Sequence, residues 1–326
     1  MGVRFGLLGA GRIGKVHARA IAANPDATLV AVADPLDQAA REIHGCDIRS
    51  IEAIETAADI DAVVICTPTD THADLIERFA RAGKAIFCEK PIDLDVSRVE
   101  ACLKVVAKEK ATLMVGFNRR FDPHFMAVRR AIDDGAIGKV EMVTITSRDP
   151  GPPPAEYIAR SGGIFRDMTI HDFDMARFLL GEEPVRVAAS ASVLIDPQIG
   201  ALGDFDSVSV ILTTASGRQC VISNSRRATY GYDQRIEVHG SSGMVAAENQ
   251  RPVSIEVADA KGYTRPPLHD FFMTRYLDAY ANEIAAFIAT VKTGRPASPS
   301  GADGLAALRL AEAALEAAGT GATVDV

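Results

Sequence analysis

The chain has 326 residues, 48% hydrophobic and 24% charged, which is the composition of a globular protein long enough for two domains. Its formal net charge of -8 argues against a general nucleic-acid-binding or anionic-membrane surface. The five cysteines lack metal-ligand spacing, so we expect buried thiols and no metal. The chain begins without a signal-peptide core and contains no apolar run of membrane-spanning length, which predicts a cytoplasmic protein.

A glycine-rich turn follows the first predicted strand, residues 3–8, and precedes a predicted helix over residues 15–23. Its GxGxxG spacing stands in the context that a dinucleotide site requires: a tight turn, room for pyrophosphate, and close packing of helix on strand. The free N–H groups at the start of the helix would bind phosphates. The residues predicted to bind the cofactor here are Gly9, Gly11, Arg12, Ile13 and Gly14.

Asp34 ends the second predicted strand, residues 28–33, at the distance from the glycine turn where a ribose-binding acid is expected. A carboxylate there accepts hydrogen bonds from the adenosine ribose and repels a 2′-phosphate. No lysine or arginine follows before Arg41, so the sequence favours NAD over NADP. The alternative is that Asp34 is only a helix cap or turn residue.

Strands and helices continue to alternate, with predicted strands at residues 62–66, 85–88 and 112–116 and predicted helices at residues 73–82 and 96–108. This alternation predicts a doubly wound parallel sheet, an N-terminal Rossmann domain over residues 1–119. Ligands of such sheets lie beyond the carboxyl ends of the strands. The polar or turn residues expected at this edge are Thr67, Pro68, His72, Glu89, Lys90 and Asn118.

Lys90 follows a predicted strand and precedes Pro91. Because an ammonium group is disfavoured beside a positively charged nicotinamide, a lysine at this position could exchange a proton with a substrate hydroxyl. The alternative is a solvated surface lysine. The sequence leaves open whether the Lys90–Pro91 bond is cis.

The second half of the chain predicts an α+β domain over residues 120–326, with an open, mostly antiparallel sheet. Helices are predicted at residues 124–133, 167–180, 271–291 and 304–317, and the last of them can pack back on the first domain. Helices cover only part of such a sheet, so we expect a partner subunit to share the rest. The predicted strands are residues 140–147, 185–194, 207–214, 219–225, 235–239 and 244–246.

Two glycines, Gly162 and Gly163, permit a sharp turn into the helix predicted to carry Asp167 and His171. Residues four apart are neighbours on one helix face, and an imidazole beside a carboxylate is a natural general base. The alternative is a first-turn acid that suits the helix dipole, with His171 a histidine of the core.

Together these motifs resemble the Gfo/Idh/MocA oxidoreductase family over essentially the whole chain. The similarity rests on the glycine turn, residues 66–68, Glu89-Lys90-Pro91, residues 116–123 and residues 162–179. Within that family, residues 118–122 and 165–174 are most similar to the bacterial members that oxidise inositol. The resemblance implies NAD as cofactor, homotetramers built through the second domain's sheets, and a catalytic triad of Lys90, Asp167 and His171.

The reaction implied by the resemblance is oxidation of myo-inositol at C2 to scyllo-inosose. His171 would take the hydroxyl proton, Asp167 would orient His171, and Lys90 would hydrogen-bond the reacting oxygen. Two alternatives stay open: another polyol or aldose as substrate, or a non-catalytic NAD-binding sensor. Weaker candidates for holding the other hydroxyls are Asn118, Arg119, Arg148 and Tyr230, with Tyr232 as the other phenol of the same turn.

Overall fold

A computed structural model describes residues 2–326, apart from the side chain of Asp37. The chain divides into two units: the first comprises the residues up to Phe121 together with Leu277–Leu308, and the second comprises Asp122–Tyr276 and Arg309–Val326. Each unit contains its own large sheet. The residues of helix Gly301–Thr320 are divided between the two units.

The first unit is built on a six-stranded sheet in which every neighbouring pair is parallel. Its strands are β1 (Val3–Leu8), β2 (Ala27–Ala33), β3 (Asp47–Ile48), β4 (Ala62–Ile65), β5 (Ala85–Glu89) and β6 (Leu113–Gly116). The strand order β3-β2-β1-β4-β5-β6 is that of a Rossmann fold, which places ligands beyond the carboxyl ends of β1 and its neighbours.

The helices of the first unit are α1 (Arg12–Ala23), α2 (Asp37–Arg41), α3 (Ile51–Thr56), α4 (His72–Arg81), α5 (Val96–Lys108) and α11 (Leu277–Thr293). Helix α11 packs on α1 and β1, and its Phe287 ring lies 6.1 Å from Phe5 and 5.7 Å from Phe87. A segment from late in the chain therefore completes the core of the Rossmann sheet.

The elements predicted for the first unit are present with small shifts of their ends. The helix predicted at residues 96–108 is confirmed as α5, whereas α1 begins at Arg12, three residues earlier than predicted. The elements α2, α3 and β3 were not predicted, because two to six residues are too short to show a periodic pattern.

The second unit is built on a seven-stranded sheet with the order β12-β11-β7-β10-β9-β8-β15. Only β7 and β10 are paired parallel among its described strands, so the predicted mostly antiparallel sheet is confirmed. Its strands are β7 (Val140–Arg148), β8 (Pro184–Ser192), β9 (Ser207–Thr214), β10 (Gln219–Ser225), β11 (Asp233–Gly240), β12 (Gly243–Ala247) and β15 (Val324–Asp325).

The remaining elements flank this sheet. Helix α8 packs on β7 and β10, and α6 packs on β12. On the opposite face of the sheet lie Met142, Ile211 and Met244, and about half of the surface of each residue is exposed to solvent. The elements are α6 (Pro123–Asp133), α7 (Ala155–Ser161), α8 (Ile170–Leu180), α9 (Pro197–Ala201), α10 (Phe272–Arg275), α12 (Gly301–Thr320) and the hairpin strands β13 (Val257–Asp259) and β14 (Gly262–Thr264).

The prediction of a single helix at residues 271–291 is wrong. The structure has two helices there: α10 ends at Arg275, and α11 begins at Leu277. The elements α7, α9, β13, β14 and β15 were also not predicted, since each is seven residues or shorter.

All five cysteines are free thiols, and all but Cys46 are buried. Within residues 2–326, no helix has both the length and the apolar character needed to cross a bilayer.

Candidate functional site

The glycine turn between β1 and α1 has the geometry that the motif predicts. Gly9 has φ +93°, and a Cβ atom there would lie 2.6 Å from the carbonyl oxygen of Cys66. A Cβ atom on Gly14 would lie 2.0 Å from the carbonyl oxygen of Gly9, so the helix could not pack this closely on the strand. Gly11 faces open space instead, which leaves its backbone accessible to a phosphate.

The start of α1 is open to an anion. Gly11 is the N-cap residue, so no side chain caps the first turn, whose N–H groups are the natural phosphate ligands of this fold. Arg12 is exposed and Ile13 is half-buried at this turn. Both positions therefore fit a pyrophosphate contact through the backbone, as predicted from the motif.

Asp34 follows β2 and braces the glycine turn. One carboxylate oxygen accepts the N–H of Ala10 at 2.6 Å, and the other accepts the N–H of Leu36 at 2.8 Å. The turn role that was the alternative for Asp34 is therefore present. Each carboxylate oxygen can accept more than one hydrogen bond, so this geometry also leaves capacity for ribose hydroxyls.

The loop after β4 is tied to the segment after β5. The two ring nitrogens of His72 lie 2.8 Å from the carbonyl oxygens of Thr67 and Pro91. The hydroxyl of Thr67 bonds that of Thr71, which itself donates to the carbonyl of Pro68. His72 is buried, and its ring holds these two segments together. Both ring nitrogens are occupied by these carbonyl contacts, and the predicted contact of His72 with the cofactor stays a prediction.

Strand β5 ends in Glu89, and the half-buried Lys90 follows it. The Lys90–Pro91 peptide bond is cis. The Glu89 carboxylate lies 2.6 Å from Nε2 of His17, a residue of α1 that was not singled out in the sequence.

Asn118 and Arg119 follow β6 in a short 3₁₀ helix, Asn118–Phe121, on which α11 packs. They are only 3% and 5% exposed. This burial was not expected for residues that hold substrate hydroxyls, and that role stays a prediction for both.

In the second unit, the two glycines before Asp167 make the predicted sharp turn, with φ +81° at Gly162 and +82° at Gly163. The N–H of Ile164 donates to the Asp204 carboxylate at 2.8 Å. The helix that follows differs from the prediction: Phe165–Thr169 is a π-helical turn, and the α-helix begins only at Ile170. Such π turns are common at functional sites.

Asp167 lies in this π turn and is held by residues that the sequence did not indicate. Its carboxylate accepts the Tyr157 hydroxyl at 2.8 Å, and its other oxygen lies 3.4 Å from the guanidinium of Arg226. Arg226 also contacts Asp204 at 3.2 Å, and only 1% of its side chain is exposed. A buried arginine thus compensates two carboxylates at the start of the helix.

His171 lies in the first turn of α8 and is half-buried. The next residue, Asp172, is fully buried and accepts hydrogen bonds from Ser147 at 2.7 Å and Asn224 at 2.8 Å. These contacts fasten the helix to β7 and β10, so the backbone that carries His171 is fixed in place.

Arg148 and Tyr230 meet at the ends of β7 and β11. The Tyr230 hydroxyl donates to Asp233 at 2.6 Å and accepts from Arg148 at 3.1 Å. Partial burial, and then the bond to Asp233, raise the pKa of Tyr230. Burial opposes ionisation of Asp233, yet hydrogen bonds from Arg235, Tyr230 and Asn249 lower its pKa overall, so it remains a carboxylate.

The Tyr230 side chain is half exposed and borders a cavity of about 430 Å³. The neighbouring phenol, Tyr232, is instead buried, with its ring 6.2 Å from Phe271 and 5.9 Å from Tyr276. Of the two tyrosines, Tyr230 is therefore the exposed one, and its contact with substrate stays a prediction. The cavity is lined by Tyr230, Asp233, Arg235, Glu248, Asn249, Arg251 and Arg265.

Both units match a known protein family. Residues 3–117 match the oxidoreductase family with the NAD-binding Rossmann fold, and residues 125–246 match the GFO/IDH/MocA C-terminal domain. The chain is 77% identical over 318 residues to an inositol 2-dehydrogenase from Rhizobium meliloti, an alignment that covers 97% of this chain and 96% of that protein.

Two solved structures share the whole architecture. One is a myo-inositol dehydrogenase from Corynebacterium glutamicum, with a TM-score of 0.97 and 45% identity, covering 100% of this chain and 99% of that one. The other is a scyllo-inositol dehydrogenase from Lactobacillus casei with bound NAD(H) and scyllo-inositol, with a TM-score of 0.90, 29% identity and coverage of 100% and 99%.

The Rossmann strand order, the glycine-rich turn after β1 and these matches define an NAD-dependent oxidoreductase. The chain belongs to the Gfo/Idh/MocA oxidoreductase family. The family, the fold class and the cofactor predicted from the sequence are thereby confirmed.

Proposed function

We propose that this protein catalyses the NAD-dependent oxidation of myo-inositol at C2, which yields scyllo-inosose. The observation that carries the proposal is the 77% identity to an inositol 2-dehydrogenase over 97% of this chain. The alternative that an observation favours is scyllo-inositol as substrate, because a structural relative binds that isomer.

Three residues are assigned to the reaction. His171 removes the proton from the C2 hydroxyl as the carbonyl forms. Asp167 orients the imidazole and stabilises its protonated form. Lys90 donates a hydrogen bond to the reacting oxygen, where negative charge develops. The chemistry that NAD supplies when bound is acceptance of the hydride from C2.

The surroundings of these residues support their roles. The Asp167 carboxylate is held by the Tyr157 hydroxyl and the Arg226 guanidinium, which suits a residue that orients its neighbour. Tyr230 bonds Asp233 through its own proton, so its oxygen can accept from a hydroxyl of a polyol. Arg148 next to it can donate to a further hydroxyl. Asn118 and Arg119 are weaker candidates because they are buried.

The test is NADH formation by the purified protein, offered separately myo-inositol, scyllo-inositol, chiro-inositol and glucose. We expect the highest kcat/KM with myo-inositol, and loss of turnover in Lys90→Ala. A preference for another polyol would retain the enzyme class and overturn the substrate. If NAD binds but none of these substrates is oxidised, the protein is not the proposed dehydrogenase.

The cofactor preference depends on Asp34. In Asp34→Ser we expect kcat/KM for NAD to fall by about 10-fold to 100-fold, because a charged acceptor for the ribose hydroxyls is lost. NADP should become usable, because no carboxylate then repels its 2′-phosphate. Steady-state kinetics with both cofactors measure this.

The matched control is Asp34→Asn, which keeps an oxygen for one of the two backbone N–H groups and removes the charge. It should admit NADP as Asp34→Ser does. If Asp34→Asn still rejected NADP, the charge of Asp34 would not be what selects the cofactor.

We also propose a homotetramer assembled through the open face of the second unit's sheet. Met142, Ile211 and Met244 are exposed together on this face, interspersed with serine and threonine side chains. Light scattering coupled to gel filtration should give four times the chain mass of 34.7 kDa. The chain mass itself would contradict the proposal.

A cytoplasmic location fits the free thiols.

A further inference from the structure

Three titratable side chains form a buried group in the first unit, which we call the His17–Glu89–Glu283 group. They come from α1, β5 and α11, and their nitrogen and oxygen atoms lie within 4.8 Å of one another. His17 and Glu283 are 0% exposed, and 13% of the Glu89 side chain is exposed. Neither His17 nor Glu283 is among the residues assigned above to cofactor binding, substrate binding or catalysis.

The environment of Glu283 disfavours a second negative charge. Neither of its carboxyl oxygens has a hydrogen-bond partner in the described part of the chain. An ionised carboxylate in such a place is very costly, and two carboxylates this close do not both ionise readily. Burial, and then the charge of Glu89, raise the pKa of Glu283 well above its usual range.

Among the described residues, the titratable groups that face this carboxyl are an imidazole, a carboxylate and a thiol. Helix α1 contributes His17, β5 contributes Glu89, and the end of β4 contributes the thiol of Cys66. Tyr280, one turn before Glu283 on α11, stacks edge-on against the His17 ring at 5.6 Å. Burial, and then the charge of Glu89, raise the pKa of the Cys66 thiol, so it stays neutral.

The group lies directly beside Lys90 in the chain. Glu89 is the last residue of β5, and its carboxylate is held between His17 and the backbone of β6. A Cβ atom on Gly116 would lie 3.1 Å from that carboxylate, so Glu89 has little space to move. The position of Glu89 therefore fixes the point at which the chain leaves β5, and with it the backbone position of Lys90.

We propose that Glu283 is a positioning residue that is neutral in the working protein, so that Glu89 stays paired with His17 and holds Lys90 in place. If Glu283 ionised, it would repel Glu89 and compete for His17. The proposal rests on the function proposed above only in the role it gives to Lys90.

The first test measures stability and needs no substrate. Unfolding exposes Glu283, whose pKa then returns to about 4.5. Between that pH and the higher value of the folded state, the folded chain holds one more proton, so stability falls as the pH rises. In Glu283→Gln this loss is absent. The measured quantity is the Tm of the variant minus the Tm of the parent. We expect this difference to increase by at least about 2 °C from pH 5 to pH 8.

Asp278→Asn is the matched control, because it removes an exposed carboxylate from the same helix. Its Tm difference should not change over this range. A pH-independent difference for Glu283→Gln would mean that Glu283 is ionised in the folded protein, which overturns the proposal. Histidine and glutamate are also ligands of divalent metals, and a stoichiometric metal found in the full chain by elemental analysis would overturn it as well.

The second test measures positioning through the pH profile of kcat. Glu283→Gln should keep kcat near neutral pH within about 3-fold, and should extend activity to higher pH than the parent. An unchanged alkaline limb would reduce Glu283 to a structural role and overturn the positioning claim. If no polyol is oxidised at all, the proposed function fails, while the stability test still decides whether Glu283 is neutral.

Discussion

Replacing His171 with asparagine is expected to lower kcat by about 10²-fold to 10⁴-fold, the range that a positioned general base contributes. Asparagine keeps a polar side chain of similar size but cannot accept a proton at neutral pH. Binding of NAD should change little, because the cofactor residues are on other elements. Steady-state rates of NADH formation with myo-inositol measure kcat, and isothermal titration calorimetry measures NAD binding.

His44→Asn is the matched control, because His44 is exposed in the first unit and has no assigned role. Its kcat should equal that of the parent within error. A fall of less than 10-fold in His171→Asn would exclude His171 as the general base. The proton would then have to leave through another group, for which Lys90 is the first candidate.

Replacing Arg226 with methionine is expected to lower the free energy of unfolding by about 3–5 kcal/mol, which is the usual cost of leaving a buried charge uncompensated. The change removes the cation that contacts both Asp167 and Asp204. Asp204 also accepts the N–H of Ile164, just before the π turn. The helix that carries His171 should therefore lose its fixed start, and kcat should fall together with stability.

Urea denaturation of parent and variant measures the loss, and the adjacent residue provides the control. Arg227 is exposed, so Arg227→Met should change the free energy of unfolding by no more than about 0.5 kcal/mol. Arg226→Lys should fall between the two, because an ammonium keeps the charge without the two-pronged geometry. Equal stability of Arg226→Met and Arg227→Met would show that the buried contacts contribute nothing.

Much of the first unit was predictable because its signals are local. The apolar runs of β1 and β4, and the glycine turn after β1, need no tertiary information to be interpreted. What could not be predicted is that α11, which begins only at Leu277, far along the chain from α1 at Arg12, completes this core. An amphipathic helix shows that it packs, but not on which sheet.

The candidate site shows the same division. Asp167 and His171 were proposed from their spacing, and Lys90 from its place after a strand. Arg226 and Glu283 were missed, because an arginine after a strand and a glutamate in a helix are ordinary surface residues in any sequence. Only the fold shows that both are buried beside carboxylates.

By itself, the sequence determined the Rossmann domain, the NAD preference, the family and the residues proposed for catalysis, since each depends on motifs of a few adjacent residues. The tertiary structure decided the π turn at Asp167, the exposure of Tyr230 beside a buried Tyr232, and the burial of Glu283. These depend on contacts between residues far apart in the chain. Burial and pairing of charges arise only when those segments meet, so no local pattern encodes them.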